Sequence, residues 1–452
     1  YEWTAALVLV VFAAFILPVF LRARLFTVTE YLERRFEPRT RVLYSLFTLV
    51  TLLFLDMAGA LYAGAVVMVT GLPFLDLWTA CIVISLLTGL YTIFGGLRTV
   101  VITDALQALV LLVGASFVAV YGLAQVGGWN ALLDELDKDK LQLFRSPDDD
   151  VLPWPGILGV VVLGLYYWTF NQYFVQRALA ARSLQQGRWG ALFGGLLKLP
   201  NLFLMIVPGL VAATLYPTLE SPDKAFPTLT FELLPVGLRG IVLAAMLAAI
   251  MSSLDSALNA ASSLVTMDLV KPLRRDMDER ALFVIGRIAT GAFMIVAAIY
   301  APLSAGFGSL FEYFQSTLAY LVPPFVGIYI GGLLSPTLSR RSAFWALLIV
   351  EPLAIGLFLT TQVFGSWNAI GLPDLHFTYV AILLLIATLV VMGLFSWLER
   401  PPRRRVALET TFSYQDLTSR PGYRLLDYRL LAALLLLATV TALIVLGVYE
   451  GR

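Results

Sequence analysis

Apolar runs of about 20 residues, the length that crosses a hydrocarbon layer roughly 30 Å thick, recur from one end of the chain to the other. Glycine, proline and clusters of charge punctuate them. Together they predict twelve spans, at roughly 4–21, 42–70, 75–95, 101–125, 154–176, 189–216, 236–266, 283–304, 309–334, 342–363, 377–397 and 429–449. The segments between are short, apart from 126–153, 217–235 and 398–428, and leave no room for a separate soluble domain. The expected fold class is an all-α polytopic membrane protein whose residues 1–452 form one transmembrane transporter domain.

Charge fixes the direction of threading. If residue 1 faces outward, the alternate loops that fall inside carry 24 of the 31 lysines and arginines, which the positive-inside rule requires of the cytoplasmic side. Lys138, Lys140, Arg145, Lys224, Arg239 and Arg452 fall outside, and Lys198 lies within a span. The acidic stretch 134–150 is then a solvated outer loop. Composition narrows the chemistry further: one cysteine, Cys81, and one histidine, His376, leave no disulfide framework and no histidine-rich metal or haem site. Near-neutral charge gives no reason to expect nucleic acid. The chain opens on Tyr1 without a signal-peptide pattern, so the true N-terminus is expected upstream.

In a chain that is 59% hydrophobic, the ionisable residues inside apolar runs are the informative ones. A charge in hydrocarbon is costly unless it is paired or lines a wet cavity, so such residues mark an ion or solute path by default. Asp56, Asp104, Lys198 and Asp255 qualify, and Glu351 precedes Pro352 inside another span. In the segment 244–266, Ala249, Ser252, Ser253, Ser256, Ala260 and Ser263 fall on one helical stripe. Small residues in that pattern allow close helix packing. Hydroxyls beside helical carbonyls also offer the oxygen shell that a hard cation needs. Both readings stand, with Asp255 and Asp104 favouring the cation. Asp104 follows an expected helix break at Gly95-Gly96, with pairing to Arg98 as the simpler alternative. Lys198, midway along a span and two residues before Pro200, and Gln315 offer polar groups to a hydroxylated solute. The aromatics of 165–177 beside Asn171 and Gln172 suit a sugar face, or equally an interfacial aromatic belt.

Five stretches carry a resemblance to a known family: YEW at 1–3, TVTEYLERRF at 27–36, YTIFGGLRTVVITDALQ at 91–107, YYWTFNQYFVQRALAARS at 166–183 and MSSLDSALNAASSLVTMD at 251–268. They resemble the sodium/solute symporters, in particular the bacterial sodium/galactose and animal sodium/glucose cotransporters. The resemblance implies a leucine-transporter-like fold of two inverted five-helix repeats. Residues 1–125 would be the remainder of the first repeat, 154–334 the second, and 342–452 peripheral helices. It also implies sodium ligation by Ala249, Ser252 and Ser253 with Asp104 near the ion path. Solute contacts would come from Glu2, Lys198 and Gln315. The implied gates are Tyr1 and Phe311 on the outside and Tyr167 on the inside. Ala5 and Gly164 stand where the galactose transporter has a serine and an asparagine, so the solute is expected to differ. The family's first core helix, which precedes YEW, is not in this sequence, and two further spans are expected upstream.

The function these observations imply is a cell-membrane symporter that couples sodium flow to uptake of a sugar or polyol. Sodium is the coupling ion and no cofactor is expected. An amino acid, carboxylate or vitamin-like solute is the nearest alternative, and a non-transporting sensor the next. A membrane enzyme is disfavoured, since the spans hold no nucleophile–base pair or metal-ligand cluster.

Overall fold

A computed structural model describes residues 2–136, 145–149, 152–274, 276–306, 309–364, 375–399, 409–418 and 427–450. Among them there is no β-sheet; the chain is helical almost throughout. Eight helices are long and apolar enough to cross a membrane, and a ninth span is the pair Leu310–Leu321 and Pro323–Leu334, bent by 51°. The bend has a chemical cause, because Pro323 and Pro324 lack the N–H groups that would continue the ladder. With the shorter apolar helices Leu77–Ile93, Trp154–Phe170 and Leu202–Leu215, these segments cover the twelve stretches expected from hydropathy, although 75–95 and 101–125 lie in one continuous helix.

One expected boundary is absent. The backbone does not leave the helical conformation at Gly95-Gly96, and a single helix runs Leu77–Val126. Glycine costs about 1 kcal/mol against alanine in a helix. At membrane depth an open backbone group costs several times more, so hydrogen bonding outweighs glycine's freedom. The helix starts where Asp76 accepts a hydrogen bond from the Thr79 amide, and it ends at Gly127, with φ 94°, and Gly128.

Among the described residues six π-helical turns occur: Phe12–Ile16, Leu52–Met57 and Val265–Val270 lie within continuous helices, Tyr166–Phe170 and Leu359–Val363 close helices, and Leu202–Ile206 opens one. The chain divides into two compact units. One comprises Tyr1–Leu46, Gln142–Leu199 and Phe314–Arg452, the other Phe47–Leu141 and Pro200–Tyr313.

The first unit is built round stacked aromatics. Phe170 lies flat on Tyr329 with centroids 4.5 Å apart, and Tyr44 meets Phe325 and Tyr329 edge-on. Each buried hydroxyl has an acceptor, Tyr44 on the Phe170 carbonyl and Tyr329 on that of Val28, both at 3.0 Å. That is the condition for burying tyrosine. Gln172, only 2% exposed, accepts from the Val28 amide at 2.9 Å, so this amide serves the scaffold, not a solute. Asn171 likewise caps the helix Gln172–Leu179 through the Tyr173 amide. Gly159 admits the helix Phe377–Glu399 so closely that a Cβ there would lie 2.1 Å from the Thr378 carbonyl oxygen.

The second unit centres on Val236–Leu264 packed against Leu77–Val126. Gly114 meets Ala245, and Asp104 meets Ser252, so the two helices run antiparallel. Other faces of Val236–Leu264 pack closely on glycines: Ser262 faces Gly286 and Ile250 faces Gly64.

Candidate functional site

In the second unit the serine stripe carries a continuous polar network. The Ser253 hydroxyl donates back to the Ala249 carbonyl at 3.1 Å, and Ser256 to that of Ser252 at 2.7 Å, the usual way a helical hydroxyl is satisfied in a dry interior. Ser252 turns the other way and donates to Asp104 on the facing helix. One turn on, Asp255 is fully buried; it accepts from the Tyr91 hydroxyl and from Ser256. Carboxylates bonded to hydroxyls make charge-assisted bonds, roughly twice as strong as neutral ones. The residues expected to hold sodium (Ala249, Ser252, Ser253 and Asp104) are therefore brought together on two packed helices. All their available donors are oxygens, as a hard monovalent cation requires. Arg98, the alternative partner for Asp104, has its side chain outside the described residues.

In the first unit the buried lysine is paired. Lys198 sits in a break, not midway along a helix: Leu184–Leu196 ends just before it, and Leu202–Ile206 begins a π turn just after. Pro200 enforces the interruption by withholding an N–H. The ammonium reaches Glu2 at 3.0 Å and lies 4.8 Å from the centre of the Trp168 ring. Trp168 in turn packs on Tyr167 and Phe174, with centroids 5.5 and 4.5 Å away. Two of the three expected solute contacts and the expected inner gate, Tyr167, thus form one half-buried group of charge and aromatic faces. Gln315 is half-buried on Leu310–Leu321 and is not hydrogen-bonded to Glu2 or Lys198. Phe311, the expected outer gate, is 53% exposed, and Tyr1 lies outside the described residues.

The positions that depart from the galactose pattern are tightly packed. Ala5 is 4% exposed, and a Cβ added at Gly164 would come within 3.3 Å of Val8. An asparagine at 164 has no room unless Val8 gives way.

Sequence reasoning missed Tyr91, and took Trp168 only as one of the aromatics of 165–177. Neither could be singled out locally, since tyrosine and tryptophan in an apolar run usually only pack. The one available signal was the charge each serves, an aspartate and a lysine stranded in other spans. Asp56, half-buried within the π turn Leu52–Met57, joins neither group.

Helices that cross a membrane many times, with oxygen-rich and charge-paired groups at breaks and close packings, define a polytopic membrane transporter. The chain belongs to the sodium:solute symporter family, whose model matches residues 1–350, and it is accordingly a sodium-coupled, multi-pass membrane symporter. It is 30% identical to sodium/glucose cotransporter 1 of Mus musculus, over 89% of this chain and 68% of that protein. It is 32% identical to sodium/myo-inositol cotransporter 2 of Homo sapiens, over 91% and 68%. Its fold matches a Na+-coupled sialic acid symporter solved in a substrate-bound outward-open state, with a TM-score of 0.73, 21% identity, and coverage of 88% of this chain and 82% of that one. The fold is accordingly the leucine-transporter-like one that the five sequence stretches implied.

Proposed function

We propose that the cargo is a neutral sugar or polyol, carried across the cell membrane with sodium as the coupling ion and no cofactor. The observation that carries this reading is the Lys198–Glu2 pair above Trp168. An ammonium and a carboxylate side by side offer both donors and acceptors to hydroxyl groups, and the indole supplies a face for C–H stacking. A carboxylate solute would meet Glu2 as a like charge. The relatives that carry glucose and myo-inositol in their names support the same class.

In this mechanism sodium rests on the Ala249 carbonyl and the Ser252 and Ser253 hydroxyls, with Asp104 supplying negative charge. Its binding favours the state open to the outside. Solute then engages Glu2, Lys198 and Gln315, Tyr1 and Phe311 close behind it, and Tyr167 yields on the cytoplasmic side. The packed Ala5 and Gly164 favour a cargo other than galactose within that class.

The test is uptake of labelled galactose, glucose and myo-inositol by the full gene product in proteoliposomes, with and without an inward sodium gradient. Sodium-driven accumulation of one of them is expected. Accumulation of an amino acid or carboxylate instead, with no sugar or polyol competing, would overturn the cargo. Ser253→Ala is expected to weaken sodium activation more than solute selectivity, and unchanged sodium activation would remove Ser253 from the ion site.

A further inference from the structure

Glu351 takes no part in either group. It lies in the helix Ser342–Phe358 with no exposed surface, and neither carboxyl oxygen has a hydrogen-bond partner. Its neighbours Leu347, Val350 and Ala354 are equally sealed, Val350 and Ala354 within a core that includes Val380 and Leu384 of the next helix. The elements packed against its helix include Pro323–Leu334, Leu359–Val363 and Phe377–Glu399, and Tyr320 of Leu310–Leu321 joins the core of Val350 and Ala354. The titratable side chains of those three elements are Tyr329, Tyr379 and Glu399. The two tyrosines donate to the carbonyls of Val28 and Pro147, and Glu399 closes the far end of its helix. Tyr320 accepts from Thr361 and Gln362. Arg340 and Arg341 precede the helix, and Arg340 donates to the Phe36 carbonyl. Among the described residues, then, no cation faces Glu351.

A lone carboxylate so placed would bear the full penalty of a buried charge, which groups of this kind escape by taking up a proton. Sodium is a poor occupant, because a hard cation needs several oxygen ligands and this site offers one side chain. The following residue supplies the missing half of the arrangement. Pro352 has no N–H, so the carbonyl of Leu348, four residues before it, loses its helical donor. A helical side chain leans back toward the N-terminus over the preceding turn, the turn that carries Leu348.

We propose that Glu351 is a proton-binding site: its carboxyl is held as the neutral acid and donates its O–H to the Leu348 carbonyl that Pro352 leaves open. The proton completes the helix at a point where the backbone cannot.

Infrared difference spectra of the full-length protein in lipid, wild type against Glu351→Gln, test the protonation. A protonated-carboxyl band is expected in the wild type, persisting from neutral to mildly alkaline pH and absent from the variant. A carboxylate signal, or a band that titrates away in the ordinary carboxylate range, would overturn the proposal. Thermal unfolding tests the partner. Glu351→Leu is expected to lower the melting midpoint in the wild-type background and to have little effect beside Pro352→Ala, which restores an N–H to the Leu348 carbonyl. Glu351→Gln, which keeps a donor, should unfold close to wild type. Equal losses for Glu351→Leu in both backgrounds would refute the hydrogen bond.

Discussion

Replacing Lys198 with glutamine removes a positive charge while keeping a polar side chain of similar length. Its Nζ lies 3.0 Å from Glu2, and the two side chains are 23% and 37% exposed. Coulomb's law at that separation gives about 5 kcal/mol for an effective dielectric of about 20. Partial exposure and the entropy of holding two long side chains reduce such pairs to about 1 kcal/mol. The Trp168 face adds about 0.5–1 kcal/mol. Lys198→Gln should therefore lower the stability of the fold by about 1.5–2 kcal/mol and Glu2→Gln by about 1 kcal/mol. The informative quantity is the coupling. Chemical denaturation of the purified protein, for both single variants and the double variant, should show the second change costing about 1 kcal/mol less once the first is made. Losses that simply add, within about 0.4 kcal/mol, would mean the two groups act apart and would sink the paired-charge site.

Asp104→Asn should raise the sodium concentration for half-maximal uptake by about tenfold, the size expected when a charge-assisted bond becomes neutral, while leaving the ranking of solutes intact; sodium-activation curves check it. Gly159→Ala should cost about 1–3 kcal/mol of stability by overpacking against Thr378, whereas Gly209→Ala, where a Cβ would meet nothing within 4 Å, should be neutral or stabilising in the same melting assay. The hydrogen bond from the Thr79 amide holds the Asp76 carboxyl below its ordinary range. The folded state thus binds that proton more weakly, and the cap contributes fully above the ordinary carboxylate range. It fades as pH falls through and below that range, so Asp76→Ala should lower the melting midpoint at neutral pH and make no difference in strong acid.

Spans were legible because bilayer thickness acts on composition alone, without any knowledge of partners. The Gly95-Gly96 boundary was misread for the converse reason: glycine's freedom is a local property, and the demand for satisfied backbone in lipid is not. The serine stripe was legible in its spacing, and Asp104 in its isolation, yet their meeting depends on the antiparallel packing of helices almost 150 residues apart in sequence. Tyr91 stayed hidden, and so did the link between Trp168 and Lys198, because an aromatic reveals a polar duty only once its partner is in place. Asn171 and Gln172 show the reverse, two amides suited to a sugar that the fold spends on its own backbone.

The six π turns set a rule for how this chain can change length. Each holds one residue more than an α-helical turn would, and one residue of α-helix is worth about 100° of rotation. Deleting a single residue inside Phe12–Ile16 would rewind that turn to α-helix and leave the helix on either side in its present phase. The same deletion two turns away would leave the bulge in place and rotate everything beyond it by about 100°. Insertions and deletions in the membrane-crossing segments should therefore survive only where they create or erase such a turn, which makes such turns the joints at which this chain can change length with its helices still in phase.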